Sequence, residues 1–146
     1  FYIEHNRGHH VRVATPEDPA SSRMGESFWT FWPRTVSGSL RDSWKLERAR
    51  LRRMDKHVIS LHNDVLNAWA MTAVLWAAVI GLFGIGTLPY LVIQGVFAFS
   101  LLEAVNYLEH YGLMRQQLPN GRWERVDPRH SWNNNHVVTN LFLYHL

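Results

Sequence analysis

The feature that most constrains this 146-residue chain is a long stretch without any charged side chain. No Asp, Glu, Lys or Arg occurs between Asp64 and Glu103, which leaves 38 uncharged and mostly apolar residues. Because one helical crossing of a bilayer about 30 Å thick needs about 20 residues, this run fits two crossings. The sequence G-I-G-T-L-P at 84–89 marks the break between them. We therefore predict transmembrane helices over about 65–84 and 88–108; the alternative is a buried hairpin of a soluble protein.

Charge is confined to the two flanks of this run. The residues before it are rich in arginine and lysine, its central turn carries neither, and the residues after it include Arg115, Arg122, Arg125 and Arg129. Under the positive-inside bias, both ends of the hairpin are predicted to be cytoplasmic. The net charge of +3 then fits a membrane protein with basic faces, so we expect membrane lipid and no nucleic acid as a partner.

Three histidines lie close together near the start of the chain, in the sequence E-H-N-R-G-H-H at residues 4–10. On an α-helix His5 and His9 would lie one above the other, with His10 about 100° further round. Such a set can serve two neighbouring metal ions, and neutral imidazole suits iron, zinc, copper and nickel. The chain has no cysteine, which excludes thiolate metal sites and iron–sulfur clusters within it. The alternative is a solvated histidine run of no function.

Polar residues close the second predicted span along one helical stripe. Glu103, Asn106 and His110 follow the spacing i, i+3, i+7. Polar groups at that depth must face protein or a metal, because lipid cannot satisfy their hydrogen bonds. Two crossings also return the chain to its starting side, so His110 can meet the first histidines at one membrane face. We therefore take His110 as a fourth candidate metal ligand.

The segment between the first histidines and the hairpin changes from turn to aromatic to basic. Pro16 and Pro19 end any first helix. The aromatic sequence F-W-T-F-W at 28–32 suits either an interfacial belt or ordinary core packing. The sequence S-L-R-D at 39–42 resembles a capping box, so we predict a helix that opens there and keeps an apolar face to Val58. Its basic face is expected at the lipid headgroups or, alternatively, in solvent.

The region after the hairpin is polar. P-N-G at 119–121 indicates a turn, residues 122–126 are predicted to form a short strand, and a final helix is predicted from near His136. The remaining histidines have no neighbouring histidine motif, and we predict surface or supporting positions for His57, His62, His130 and His136.

Two motifs resemble one known family. The sequence E-H-N-R-G-H-H-V-R-V-A-T-P-E-D-P-A at 4–20 resembles the second histidine box of integral-membrane alkane hydroxylases (alkane 1-monooxygenases). N-Y-L-E-H-Y-G-L at 106–113 resembles that family's N-Y-x-E-H-Y-G-L signature at every specified position. Two further boxes of the family would precede Phe1 and follow Leu146. We therefore interpret the chain as an internal fragment, a single partial domain over 1–146 of an all-α integral-membrane helical bundle.

The resemblance implies a non-haem di-iron centre that inserts one oxygen atom of O₂ into the terminal C–H bond of medium-chain n-alkanes, giving 1-alkanols. Electrons would come from rubredoxin, fed by rubredoxin reductase. Part of the iron ligand set would be His5, His9, His10 and His110. Because four imidazoles cannot fill two iron sites, we expect the isolated chain to be inactive. Candidates for holding the imidazoles from their far side are Glu4, Glu103, Asn106, Glu109 and His145.

The implied location is the bacterial inner membrane, with the histidine motifs on the cytoplasmic side. Two other functions remain open. Histidine spacing alone would also fit a membrane fatty-acyl desaturase or hydroxylase. A non-enzymatic metal-binding or transport protein is the third possibility, although transport sites lie near the bilayer midplane whereas these histidines cluster at one membrane face.

Overall fold

The computed structural model of the chain describes residues 2–132 and 136–137. The helical elements are α1 (Tyr2–Glu4), a π-helical turn (His5–His9), α2 (His10–Arg12), α3 (Phe28–Arg53), α4 (Asp64–Phe83), a 3₁₀ turn (Ile85–Thr87), α5 (Leu88–His110) and a second 3₁₀ turn (Pro128–His130). Within these described residues there is no β-strand, so the predicted all-α class is confirmed. The strand predicted over 122–126 reduces to one isolated antiparallel bridge between Gln117 and Trp123.

Helices α4 and α5 form the predicted hairpin. The buried Asn63 side chain caps α4 by accepting two backbone N–H hydrogen bonds at 3.0 and 3.1 Å. Gly84 ends α4 with φ +86°, a conformation that glycine adopts without steric cost. Pro89 lies in the first turn of α5, where its missing N–H is not needed. The residues of the predicted spans, 65–84 and 88–108, are therefore helical except for Gly84; that they cross a membrane stays a prediction.

The apolar side chains of both hairpin helices are largely exposed. Each helix is long and apolar enough to cross a membrane. Among the 18 most apolar consecutive residues, 6% are buried in the segment Asp64–Phe83 and 0% in the segment Ile85–His110. Leu82 is 79% exposed and Phe97 is 67% exposed. The core hairpin of a soluble protein would be mostly covered, so the exposed apolar surface favours the membrane interpretation.

Helix α3 begins well before the predicted start at Ser39, so that prediction was wrong. The helix starts at Phe28, and the Ser27 hydroxyl accepts a hydrogen bond from the Thr30 N–H at 3.3 Å. Pro33 lies inside the helix, although proline normally argues against a helix interior. The S-L-R-D sequence at 39–42 therefore lies within α3, where it has no capping role.

The end of α3 also differs from the prediction. The helix stops at Arg53, and Asp55 takes a positive φ of 53°, which turns the chain away. The apolar face predicted to continue to Val58 therefore ends earlier. The buried Leu51 is the last residue of that face inside the helix.

The aromatic residues at the start of α3 divide between the core and the exterior. Phe31 is fully buried, and its ring centroid lies 5.3 Å from that of Tyr107 on α5. Trp32 donates its indole N–H to the Ser100 hydroxyl at 3.0 Å. Trp29, in contrast, is 82% exposed. Phe31 is therefore a core residue, whereas the exposure of Trp29 fits the alternative of an interfacial belt.

The loop between α2 and α3 is pressed against α3 at Gly38. A Cβ atom added to Gly38 would lie 2.5 Å from Pro19 Cβ, closer than real Cβ contacts allow. Arg34 reinforces this contact by donating to the Pro19 carbonyl at 3.0 Å and to the Ser21 carbonyl at 3.1 Å. The loop therefore takes its position from the surface of α3.

This close approach makes Gly38→Ala a destabilising substitution. Overpacking of a tight contact typically costs about 1–3 kcal/mol, and we expect a loss of unfolding free energy in that range. Thermal unfolding in detergent, followed by circular dichroism, measures it. Gly81→Ala is the matched control, because a Cβ added to Gly81 in α4 meets nothing within 4 Å. Equal unfolding midpoints for the two variants would contradict the packing interpretation.

Candidate metal centre

The first histidine motif folds as a π-helical turn, which differs from the predicted α-helix. The His10 N–H donates to the His5 carbonyl, a hydrogen bond of the i→i+5 type. Because an i→i+5 hydrogen bond widens the turn relative to an α-helix, His10 comes round closer to His5 than the α-helical spacing predicts. The ring centroids of His5 and His10 are 4.5 Å apart, the shortest separation within the motif.

The structure brings all four predicted ligands together. The ring centroids of His5 and His9 are 5.4 Å apart with the rings stacked, and those of His9 and His10 are 5.7 Å apart. His110 arrives from the end of α5, and its ring centroid lies 4.9 Å from that of His9. Two elements about a hundred residues apart in sequence thus form one cluster, which we call the histidine cluster.

The donor chemistry of the cluster suits a metal such as iron. Burial and the neighbouring His9 and His10 lower the pKa of His5 to about 4. Partial burial and His9 also lower the pKa of His10. Both rings are therefore neutral near pH 7, the form that binds metals.

In the part of the chain that the structure describes, no three His, Asp or Glu side chains converge as a complete metal site.

His9 has a buried carboxylate partner that the sequence analysis missed. His9 Nδ1 lies 2.8 Å from Asp18 Oδ2, and the two residues are 3% and 2% exposed. Burial alone would lower the pKa of His9, but the hydrogen bond and charge of Asp18 outweigh it, so this pKa is raised. Burial would likewise raise the pKa of Asp18, but the hydrogen bond to His9 lowers it overall. Each of the two side chains therefore stabilises the charged form of the other.

His110 is held by a main-chain group. Its Nδ1 lies 3.1 Å from the His130 carbonyl, which can only accept, so Nδ1 carries the hydrogen. The lone pair of Nε2 is then available to bind a metal ion. Glu109 Oε2 lies 4.0 Å from His110 Nε2, on the same ring edge that would face a metal. His130 itself is buried, with Nε2 at 3.1 Å from Glu124 Oε1.

The predicted polar stripe of α5 is buried as expected. Glu103, Asn106 and His110 are 7%, 4% and 5% exposed. Glu103 Oε2 accepts hydrogen bonds from the Thr35 hydroxyl at 2.9 Å and from the Asn106 amide at 3.2 Å. The Thr35 hydrogen bond ties α5 to α3 about two helical turns before His110.

Glu4 lies beside the cluster and is 3% exposed. Burial and the negative charge of Asp18 raise its pKa to about 7, although His9 and Arg12 oppose the shift. Arg12 Nη2 lies 4.0 Å from Glu4 Oε1. Its role as a supporting residue stays a prediction.

The other histidines lie apart from the cluster or outside the described residues. His57 and His62 are exposed on the loop between α3 and α4. His145 and most of the final helix predicted from near His136 fall outside the described residues. His130 takes the supporting position of the two that were predicted, because its carbonyl contacts His110.

Asp18 could have been suspected from its position alone. It lies in the sequence P-E-D-P, a proline-bounded turn directly after the histidine motif. Metal-binding imidazoles usually give their second ring nitrogen to a carboxylate or a carbonyl. However, no helical periodicity relates Asp18 to His9, so only the folded loop reveals the contact.

A hairpin of membrane-spanning length and a cluster of four histidines beside it, three of them buried, define a histidine-rich helical membrane protein. The chain belongs to the fatty acid desaturase family, whose family model matches residues 1–146. Over its whole length it is 56% identical to an alkane 1-monooxygenase of Acinetobacter baylyi and 53% identical to alkane 1-monooxygenase 1 of Alcanivorax borkumensis. The resemblance found from the two motifs is therefore confirmed.

The coverage of these relatives is partial. The chain spans 36% of the length of both alkane 1-monooxygenases. A more distant relative is the xylene/toluene monooxygenase hydroxylase component of Pseudomonas putida, 29% identical over 113 residues, which are 77% of this chain and 31% of that protein. All three relatives carry the word monooxygenase in their names, whereas the family model carries the name of a desaturase.

Proposed function

We propose that this chain is part of a membrane alkane 1-monooxygenase, an enzyme that uses O₂ and a non-haem di-iron centre to hydroxylate the terminal carbon of medium-chain n-alkanes. The observation that carries the proposal is the meeting of His5, His9, His10 and His110 at the end of an exposed apolar hairpin. Identities of 40–56% to alkane 1-monooxygenases over the whole chain support alkane hydroxylation within the family.

In this proposal the four imidazoles hold iron, together with ligands from other parts of the protein. Iron bound there would supply the activation of O₂ and the oxidation of the C–H bond. The chain's own environment keeps His5 and His10 neutral and holds His9 and His110 in fixed orientations. Asp18 and the His130 carbonyl fix the Nδ1 atoms of His9 and His110, which leaves their Nε2 atoms for the metal.

A mainly apolar cavity lies next to the segment that leads into the histidine motif. The cavity, of about 220 Å³, lies between α1, α3 and α4, and its apolar walls include Ile3, Val65 and Trp69. Ile3 comes directly before Glu4 and the histidine motif. An alkane dissolved in the bilayer could therefore enter between the helices without crossing water. Electron delivery is assigned to rubredoxin and its reductase on the resemblance alone.

The alternative is a fatty-acyl desaturase or hydroxylase, an activity that the name of the family carries. Substrate profiling of the full-length protein separates the two. Membranes containing it, supplied with rubredoxin, its reductase and NADH, should convert octane to 1-octanol and leave fatty-acyl substrates unchanged. Formation of an unsaturated or hydroxylated acyl product without any 1-octanol would support the alternative.

The proposed orientation places both ends of the α4–α5 hairpin, and with them the histidine cluster, on the cytoplasmic side. Basic residues flank the hairpin and are missing from its turn, which is the pattern of cytoplasmic ends. Reporter fusions after Ser60, Thr87 and Arg115 test this. We expect cytoplasmic signals at the first and third positions and a periplasmic signal at Thr87. A cytoplasmic signal at Thr87 would overturn the topology.

A further inference from the structure

We infer that Asp18 is the positioning residue for His9: its carboxylate accepts the Nδ1–H hydrogen bond and thereby presents Nε2 of His9 to the metal centre. The inference rests on the proposed function, because the metal belongs to that proposal. The geometry is direct, with 2.8 Å between Nδ1 and Oδ2 and both side chains almost fully buried. A carboxylate in this position fixes the tautomer of an imidazole and raises its basicity as a ligand.

The Asp18 carboxylate is itself held in place at both oxygens. The Ser21 hydroxyl donates to Oδ2 at 2.6 Å, and the Ala20 N–H lies 3.2 Å from Oδ1. Ser21 is fixed in turn, because its oxygen accepts the Ala14 N–H at 2.8 Å. The carboxylate therefore cannot rotate freely, and the orientation of His9 is set by a preformed acceptor.

The loop that carries Asp18 is anchored on α3. Pro19 packs against Gly38, and Arg34 donates to the carbonyls of Pro19 and Ser21. Arg34 is held by a two-point ion pair with Glu26, at 2.7 and 2.8 Å. A series of contacts thus runs from α3 through the loop to Asp18, which orients the His9 imidazole.

The supports of His9 and His110 differ in charge. His9 has an anionic acceptor, whereas His110 has the neutral carbonyl of His130. His9 also lies centrally, with ring centroids 5.4 Å from that of His5 and 4.9 Å from that of His110. Loss of the Asp18 charge should therefore weaken the binding of metal to His9 and, because His9 is central, to the whole cluster.

The test uses the full-length protein and measures bound iron against free iron. Asp18→Asn keeps the side-chain volume and removes the charge. We expect iron affinity to fall about 10–100-fold, the usual cost of losing such a partner, with full occupancy restored by excess iron. Glu17→Gln is the matched control, because it removes the same charge from the exposed neighbouring residue and should leave iron affinity unchanged.

A double-mutant cycle shows whether Asp18 acts through His9. The variant Asp18→Asn/His9→Ala should bind iron no more weakly than His9→Ala alone, whereas Asp18→Asn should still weaken His110→Ala. If Asp18→Asn fails to fold, Ser21→Ala keeps the charge, loosens its support and should lower iron affinity by a smaller factor.

Two results would overturn the inference: wild-type iron affinity in the folded Asp18→Asn variant, or an undiminished effect of Asp18→Asn when His9 is already absent. If Ser21→Ala has to serve in place of an unfolded Asp18→Asn, unchanged iron affinity overturns the inference as well. These outcomes are independent of turnover. A full-length protein that binds iron and does not oxidise octane would reject the proposed reaction while leaving the Asp18 result standing.

Discussion

Replacing His9 with alanine in the full-length protein is expected to abolish octane oxidation and to lower bound iron. His9 is the ring that connects His110 to the first motif, at 4.9 Å between centroids. Removing one imidazole opens a metal position to water and leaves that ion with an incomplete ligand set. The same outcome is expected for His5→Ala, His10→Ala and His110→Ala. Octane turnover and iron content, measured on the same preparations, check all four.

The matched controls for these variants are His57→Ala and His62→Ala. Both residues are exposed on the loop between α3 and α4, so their removal should change neither turnover nor iron. Glu109→Gln should fall between the two groups, because its carboxylate lies 4.0 Å from His110 without a direct hydrogen bond. Full iron and turnover in His110→Ala, combined with their loss in His57→Ala, would show that the site is misassigned.

Glu47→Gln is expected to cause the largest loss of stability outside the metal centre. The Glu47 carboxylate is fully buried on α3, accepts from Arg50 Nε at 2.9 Å and also accepts the Asp64 N–H at the start of α4 at 2.7 Å. Arg7, inside the histidine motif, lies 4.0 Å away. One carboxylate therefore joins the motif, α3 and the membrane hairpin. Breaking a buried ion pair from one side costs about 3–5 kcal/mol, and we expect the lower end because Arg50 is partly exposed.

The Glu47 contact also predicts how stability depends on pH. The hydrogen bond from Arg50 lowers the pKa of Glu47 below its usual 4.5. A carboxyl group with a depressed pKa stabilises the fold above that usual value, and this stabilisation disappears as the pH falls through the depressed pKa. Unfolding midpoints measured between neutral and acidic pH should therefore fall for the wild type and fall less for Glu47→Gln.

Asp55→Asn is the control for the Glu47 predictions. It removes a carboxylate from an exposed position just after α3. It should change the free energy of unfolding by no more than about 0.5 kcal/mol, as is usual for surface substitutions, and so leave the unfolding midpoint almost unchanged. If Asp55→Asn and Glu47→Gln shift the midpoint equally, the interpretation of Glu47 as a buried connection would be wrong.

The hairpin could be predicted from the sequence because its signals are local. A run without charge sets the total length, and the glycines and proline at 84–89 set the break. The polar stripe of α5 was equally accessible, because Glu103, Asn106 and His110 follow helical spacing. The start of α3 was not accessible, because Pro33 argues against a helix that tertiary contacts such as Phe31 on Tyr107 nevertheless stabilise.

The details of the candidate site depended on contacts that sequence spacing does not encode. Whether the first motif hydrogen-bonds as i→i+4 or i→i+5 is decided by its packing, and this choice brings His10 close to His5. The support of His110 is a main-chain carbonyl, which has no sequence signature. Asp18 reaches His9 from a loop that packs against Gly38 and is hydrogen-bonded by Arg34.

Isotope labelling of the product tests the central claim most directly. The full-length protein, loaded with iron and supplied with rubredoxin, its reductase and NADH, is given octane under ¹⁸O₂, and the products are analysed by mass spectrometry. The account predicts 1-octanol that carries one ¹⁸O atom, with none formed by His110→Ala. Octanol without the label, or no octanol from an iron-loaded and folded wild type, would contradict it.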